Sequence, residues 1–188
     1  FRSIPGMRIL APATTSEVQE MLDWALEQNG PVMLRYPKDA CPAQKAEETE
    51  PIVEGRGVFV EENEGETLLV SVGGLYEESR KAVGQLSREG LEVDLYNLRF
   101  IKPLDEDHLI DLFSRYRHVM LVEDAAEQGG VGEVVASMLA KRGVNVNYRW
   151  HGVPDRFFAQ AERSELIEMS GLHAEAIAEK EGRRSKEQ

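Results

Sequence analysis

The sequence predicts an α/β fold: a three-layer, mainly parallel sheet over residues 58–188, preceded by the last strand–helix–strand of a separate α/β domain. Two observations carry this reading. First, short apolar runs alternate with stretches of 10–15 residues that have a helical period, as in a parallel sheet covered by helices on both faces. Second, the polar stretch 37–57 holds three prolines and no sustained period, so it divides the chain into a first unit (1–40), a linker (41–57) and a second domain (58–188).

In order, "MRIL" (7–10) reads as a strand. Thr14, Thr15 and Ser16 followed by Glu17 offer a capped start to a helix, in which Val18, Met21, Leu22, Ala25 and Leu26 recur at helical spacing. Asn29-Gly30 ends it, and Pro31 opens the strand 31–36, which finishes on Arg35. Beyond the linker the expected order is strand 67–73, helix 75–90 with Leu75, Ala82, Val83 and Leu86 inward, and strand 92–98. Helix 105–116, strand 118–124, helix 131–143 and strand 145–151 follow, and two short helices near 162–170 and 173–182 close the chain. The polar end "EKEGRRSKEQ" is expected to fray.

Composition narrows the function. The net charge of -12 argues against nucleic-acid and anionic-membrane partners, because phosphate backbones demand clustered Lys and Arg. No apolar run is long enough for a membrane-spanning helix, and the amino end lacks the pattern of a signal peptide. Cys41 is the sole cysteine, which leaves neither an intrachain disulfide nor a cysteine zinc site and fits a cytoplasmic location. Phe1 in place of Met points to a piece of a longer or processed chain.

Ligands of such folds gather beyond the carboxyl ends of strands. The residues expected there are Arg35, Ser71, Gly73, Gly74, Asn97, Arg99, Glu123, Asp124 and His151. The turns at Gly73-Gly74 and Gly129-Gly130 sit between strand and helix, where glycines can cradle a phosphate. Neither completes the dinucleotide fingerprint nor precedes a phosphate-binding lysine, so a steric role fits both better. Glu123 and Asp124 point to opposite faces of their strand, which favours helix-approach or interface roles over an acid pair. His108, His118, His151 and His173 have no metal-ligand spacing, and no nucleophile elbow exists for a serine triad. Arg35 offers a planar fork suited to phosphate or carboxylate, and an inter-domain salt bridge would satisfy it as well.

Several blocks taken together are more specific. "IPGMRILAPATTSEVQEML", "GPVMLRYPKD", "YNLRFIKPLDEDHL", "GGVGEVV" and "GVPDRFFAQAERSELIEMSGL" resemble, in order and spacing, the carboxyl-terminal part of the 1-deoxy-D-xylulose-5-phosphate synthase family, within the transketolase superfamily. The resemblance runs from Phe1 to about Ala178. It implies that residues 1–40 end a pyrimidine-binding domain and that 58–188 form the transketolase carboxyl-terminal domain. That family makes a precursor of isoprenoids and thiamine from pyruvate and glyceraldehyde 3-phosphate, with thiamine diphosphate and a magnesium ion, releasing carbon dioxide. The resemblance further implies a cytoplasmic homodimer, with upstream domains of the same enzyme as partners. By the match to the family's R-Y-P block, Arg35 would hold the phosphate of glyceraldehyde 3-phosphate.

The family's diphosphate- and magnesium-binding motif and its cofactor-activating glutamate have no match here, so the resemblance assigns no catalytic, cofactor or metal residue and implies that this piece alone is inactive. The sequence departs from the family at Lys38-Asp39, usually Arg-Gly, and at Gln160-Ala161, where His-Gly or Gln-Gly is common. A transketolase or a 2-oxo-acid dehydrogenase β-type subunit is the alternative within the superfamily. A stand-alone assembly module that docks on a catalytic chain is the alternative outside enzymes.

Overall fold

The computed structural model describes residues 1–38 and 50–186. Asp39 and residues 41–49 of the linker, with Cys41, therefore lie outside the described residues. The described elements are β1 (Arg8–Leu10), α1 (Thr15–Leu26), β2 (Val32–Leu34), β3 (Val58–Glu61), β4 (Thr67–Val72) and α2 (Tyr76–Arg88). They continue with β5 (Val93–Asn97), β6 (Phe100–Lys102), α3 (Glu106–Phe113), β7 (His118–Ala126), α4 (Val131–Arg142), β8 (Asn147–Val153), α5 (Arg163–Met169) and α6 (Ala174–Lys186).

The main sheet has the order β3-β5-β4-β7-β8, parallel throughout except for the antiparallel edge pair β3–β5. The side-chain period of two divides its core. Leu68, Val70, Val119 and Leu121 pack on one face with residues of α3 and α4. Leu69, Met120 and Val122 pack on the other with residues of α2, α5 and α6. Every residue of β4 is buried, as a central strand between two helix layers must be. The three-layer, mainly parallel expectation holds. From β4 the chain passes to β5 on one side and then returns to β7 on the other, so the β4/β7 carboxyl ends form the switch point of the sheet.

The first unit is smaller. β1 pairs in parallel with β2 and antiparallel with β6, giving a three-stranded sheet whose third strand comes from the second domain. Leu10, Met21 and Phe100 form its core, with the Trp24 ring edge-on to Phe100 at 5.4 Å.

Four expectations change. β3 and β6 appear where no alternation announces them: each lies at the edge of its sheet and draws its hydrogen bonds from a neighbour distant in sequence. β8 sits two residues later than expected, at Asn147–Val153. The apolar stripe of α1 is buried only at Met21, while Leu22 and Leu26 stay exposed because one three-stranded sheet covers one side of that helix. The carboxyl end does not fray from residue 179: α6 continues to Lys186 and buries Ile177, Ala178 and Glu181. Among the described residues, no helix is long and apolar enough to cross a membrane.

Candidate functional site

Four segments meet at the switch point. Arg35 follows β2, whose last residue pairs with the end of β1, and the backbone N–H of Arg35 donates to Leu10 O at 2.8 Å. Asp124 lies near the end of β7, Gly74 in the turn after β4, and Arg163 at the first position of α5. A capping box sets the start of α5, with the Glu165 carboxylate accepting from the Glu162 N–H at 2.9 Å.

Asp124 carries the junction. Its carboxylate accepts from Arg35 Nη2 at 2.5 Å on Oδ1 and from Arg163 Nη2 at 3.2 Å on Oδ2. The same Arg35 nitrogen donates to the Asp124 carbonyl at 2.8 Å, and Arg163 Nη2 donates to Gly74 O at 2.9 Å. The side chains of Arg35, Asp124 and Arg163 are 31%, 11% and 27% exposed, so the arginines reach solvent over a nearly buried carboxylate. Gly74 must be glycine for this packing. A Cβ there would lie 2.6 Å from both Arg163 Nη2 and Asp124 Oδ2, and 3.1 Å from Pro37. A cavity of about 460 Å³, lined by Phe158, Gln160 and Leu166 among others, opens against Asp124 and Arg163.

Glu123, the neighbour of Asp124, points the opposite way, as strand geometry requires. Its carboxylate is buried and accepts from the N–H groups of Val131 at 3.0 Å and Gly132 at 2.8 Å. The protein's own carboxylate therefore occupies the amino end of α4, where the Gly129-Gly130 turn could have held a phosphate. A Cβ on Gly130 would collide with Glu123. Gly74 and Gly130 are thus the positions in the two turns where an added Cβ would press on a neighbouring side chain. Burial raises the Glu123 carboxyl above the usual range, and the two N–H groups offset only part of that rise.

The other expected site residues lie elsewhere. Arg99, 2% exposed, donates to the equally buried Glu17 at 2.5 Å, and Asn97 donates to the same carboxylate. Ser71 is buried inside β4. His151 lies half-buried on β8, where burial lowers its imidazole to about 4. His108 meets the Tyr96 hydroxyl at 3.2 Å. Among the described residues, no group of three or more His, Cys, Asp or Glu is placed to hold a metal ion.

Sequence reading missed Arg163 and the Glu17–Arg99 pair. Their partners lie 39 and 82 residues away, and no spacing rule reaches that far. A buried charge demands a counter-charge, but only the fold says which one.

Comparison with known proteins sets this geometry in context. The family "Transketolase, C-terminal domain" matches residues 55–177, and "Transketolase, pyrimidine binding domain" matches residues 1–44. The chain is 38% identical over 179 residues to a 1-deoxy-D-xylulose-5-phosphate synthase of Treponema pallidum, covering 95% of this chain and 28% of the relative. A 1-deoxy-D-xylulose-5-phosphate synthase 2 of Geobacter sulfurreducens is 33% identical over 180 residues, covering 95% of this chain and 29% of that protein. The chain thus spans less than a third of the length of these relatives. Among solved structures, a split-gene transketolase described as an inactive β4 tetramer superposes with TM-score 0.85 at 24% identity, covering 94% of this chain and 57% of that one. A transketolase mutant from Pichia stipitis superposes with TM-score 0.71 at 16% identity, covering 97% of this chain and 26% of that one. Both structures share the fold.

Proposed function

The chain belongs to the transketolase family, and from that premise we propose that it is the carboxyl-terminal portion of a 1-deoxy-D-xylulose-5-phosphate synthase. The enzyme would join pyruvate to glyceraldehyde 3-phosphate in the cytoplasm, with this portion supplying the substrate-phosphate arginine and a dimerisation surface. The observation that carries the reading is the 38% identity to such a synthase across 95% of this chain. The partly exposed Arg35 guanidinium at a strand's carboxyl end supports it, because a planar fork of donors matches a phosphate. Exposed Phe157 and Met169 offer apolar area for a second copy.

Thiamine diphosphate supplies the family's chemistry for breaking and making carbon–carbon bonds. The described residues do not fit a site for it or for magnesium. Glu123 fills the amino end of α4, and no described cluster suits a metal. The contribution assigned to this chain is binding: Arg35 orients the aldehyde through its phosphate and transfers no proton.

The test combines the full chain with polypeptide carrying the upstream domains, and follows carbon dioxide release from pyruvate in the presence of glyceraldehyde 3-phosphate. Arg35→Ala is expected to raise KM for glyceraldehyde 3-phosphate by about tenfold or more, the loss expected of a charge-assisted hydrogen bond, and to leave KM for pyruvate unchanged. Turnover of a ketose-phosphate donor in place of pyruvate would establish a transketolase instead. A protein that remains monomeric in sedimentation would remove the dimerisation role.

A further inference from the structure

We infer that Asp124 and Arg163 are positioning residues for Arg35, and that the three form one braced anion site at the switch point of the sheet. The inference rests on the reading of Arg35 as the substrate-phosphate arginine and extends it to two residues outside the R-Y-P block.

A carboxylate beside an arginine can act as a rival to an incoming anion or as a brace for the guanidinium, and three observations favour the brace. First, Arg35 is held at two points of one residue, the carboxylate and the carbonyl of Asp124, which fixes the plane of the fork. Second, Asp124 is 11% exposed and Arg163 ties its far oxygen, so the carboxylate cannot swing away while that tie holds. Third, among the described residues both bonds of the guanidinium run from Nη2, which leaves Nε and Nη1 for an anion.

The placement also divides the work. Arg35 belongs to the first unit, Asp124 and Arg163 to the second, and the joint between the units sets where the guanidinium stands. Arg163 need not touch the anion. It fixes Asp124, and Gly74 O, behind which no Cβ would fit, fixes Arg163.

Inorganic phosphate is the probe, titrated into the full chain and followed by the ³¹P line width, with Arg35→Ala, Asp124→Asn, Arg163→Gln and Arg163→Lys compared. Arg35→Ala should abolish specific broadening. Asp124→Asn and Arg163→Gln should each weaken binding about tenfold, the scale of one charge-assisted hydrogen bond, with part of the loss recovered in Arg163→Lys. In the condensation assay the same two variants should raise KM for glyceraldehyde 3-phosphate at unchanged kcat, and leave KM unchanged for glyceraldehyde without a phosphate. A purely structural role would lower kcat for both aldehydes alike.

Phosphate binding equal to or tighter than wild type in Asp124→Asn and Arg163→Gln overturns the inference, and tighter binding identifies Asp124 as a rival. Absence of phosphate binding by the wild type overturns it too. Should Asp124→Asn fail to fold, Arg163→Gln carries the test, because its side chain is 27% exposed on the first turn of a helix. The two readings fail separately. Lost condensation with retained, Asp124-dependent phosphate binding removes the proposed reaction alone, and condensation that depends on Arg35 but not on Asp124 or Arg163 removes the brace alone.

Discussion

Two arginines in this chain do opposite things with their charge, and burial decides which. Arg35 keeps about a third of its side chain in solvent and can meet a ligand, whereas Arg99 is 2% exposed and spends its Nε–H on Glu17. The Glu17 carboxylate also accepts from Asn97 and from the Ala13 N–H, and Arg99 Nη1 donates to Glu50 O at 2.9 Å. Such a pair adds little net stability, yet removing one partner strands the other in a low-dielectric site. Arg99→Met should destabilise the protein by about 3–5 kcal/mol in urea unfolding, and Glu17→Met with Arg99→Met should recover much of that loss. A double variant no better than the single one would show that the pair contributes more than charge compensation. Arg35 was legible in the sequence because its place at a strand end is a local property. Glu17 read only as a helix start, because its partner is 82 residues away and no local rule selects it.

At the level of elements, the joint between the two units depends on β6. This strand has three residues, belongs by sequence to the second domain, and completes the sheet of the first by pairing with β1. Phe100 makes the joint cohesive: it is fully buried against Leu10 and Met21, with the Trp24 ring edge-on. Phe100→Ala should cost about 3–5 kcal/mol and release α1 first, since β2, β1 and β6 share this small core. The check is amide hydrogen exchange: protection lost in Thr15–Leu26 before β4 or β7 supports the joint, and uniform loss across the chain rejects it. In the main sheet β4, β5 and β7 were readable as apolar runs and the helices between them by their period. β3 and β6 were not, because each stands outside the regular strand–helix alternation and is held antiparallel by a partner distant in sequence. For the same reason α1 was placed correctly while its outward face was not: period says that a stripe exists, and only packing says what covers it.

At the scale of the whole molecule, 34 acidic against 22 basic residues make the response to acid informative. His151 sits half-buried on β8 with Lys180, Glu127 and Arg149 acting on it, and burial lowers its imidazole to about 4 from an ordinary 6.5. The unfolded chain therefore takes up that proton first. Between about 6.5 and about 4, falling pH favours unfolding, and the contribution is complete only above this window. Glu123 works in the opposite sense. Its raised carboxyl binds a proton more readily in the folded protein, so acid supports the native state as pH falls toward the ordinary glutamate value of 4.5. The slope measured on the wild type is the balance of these and the remaining carboxylates, and variants separate the terms. His151→Gln should flatten the fall of Tm with acid inside the window, and Glu123→Gln, which keeps the shape but removes the titration, should steepen it. Both effects can be read by calorimetry across the window at fixed ionic strength. Curves for His151→Gln that run parallel to the wild type would mean that the imidazole is hydrated in the folded protein, and that β8 is looser at its carboxyl end than its pairing with β7 indicates.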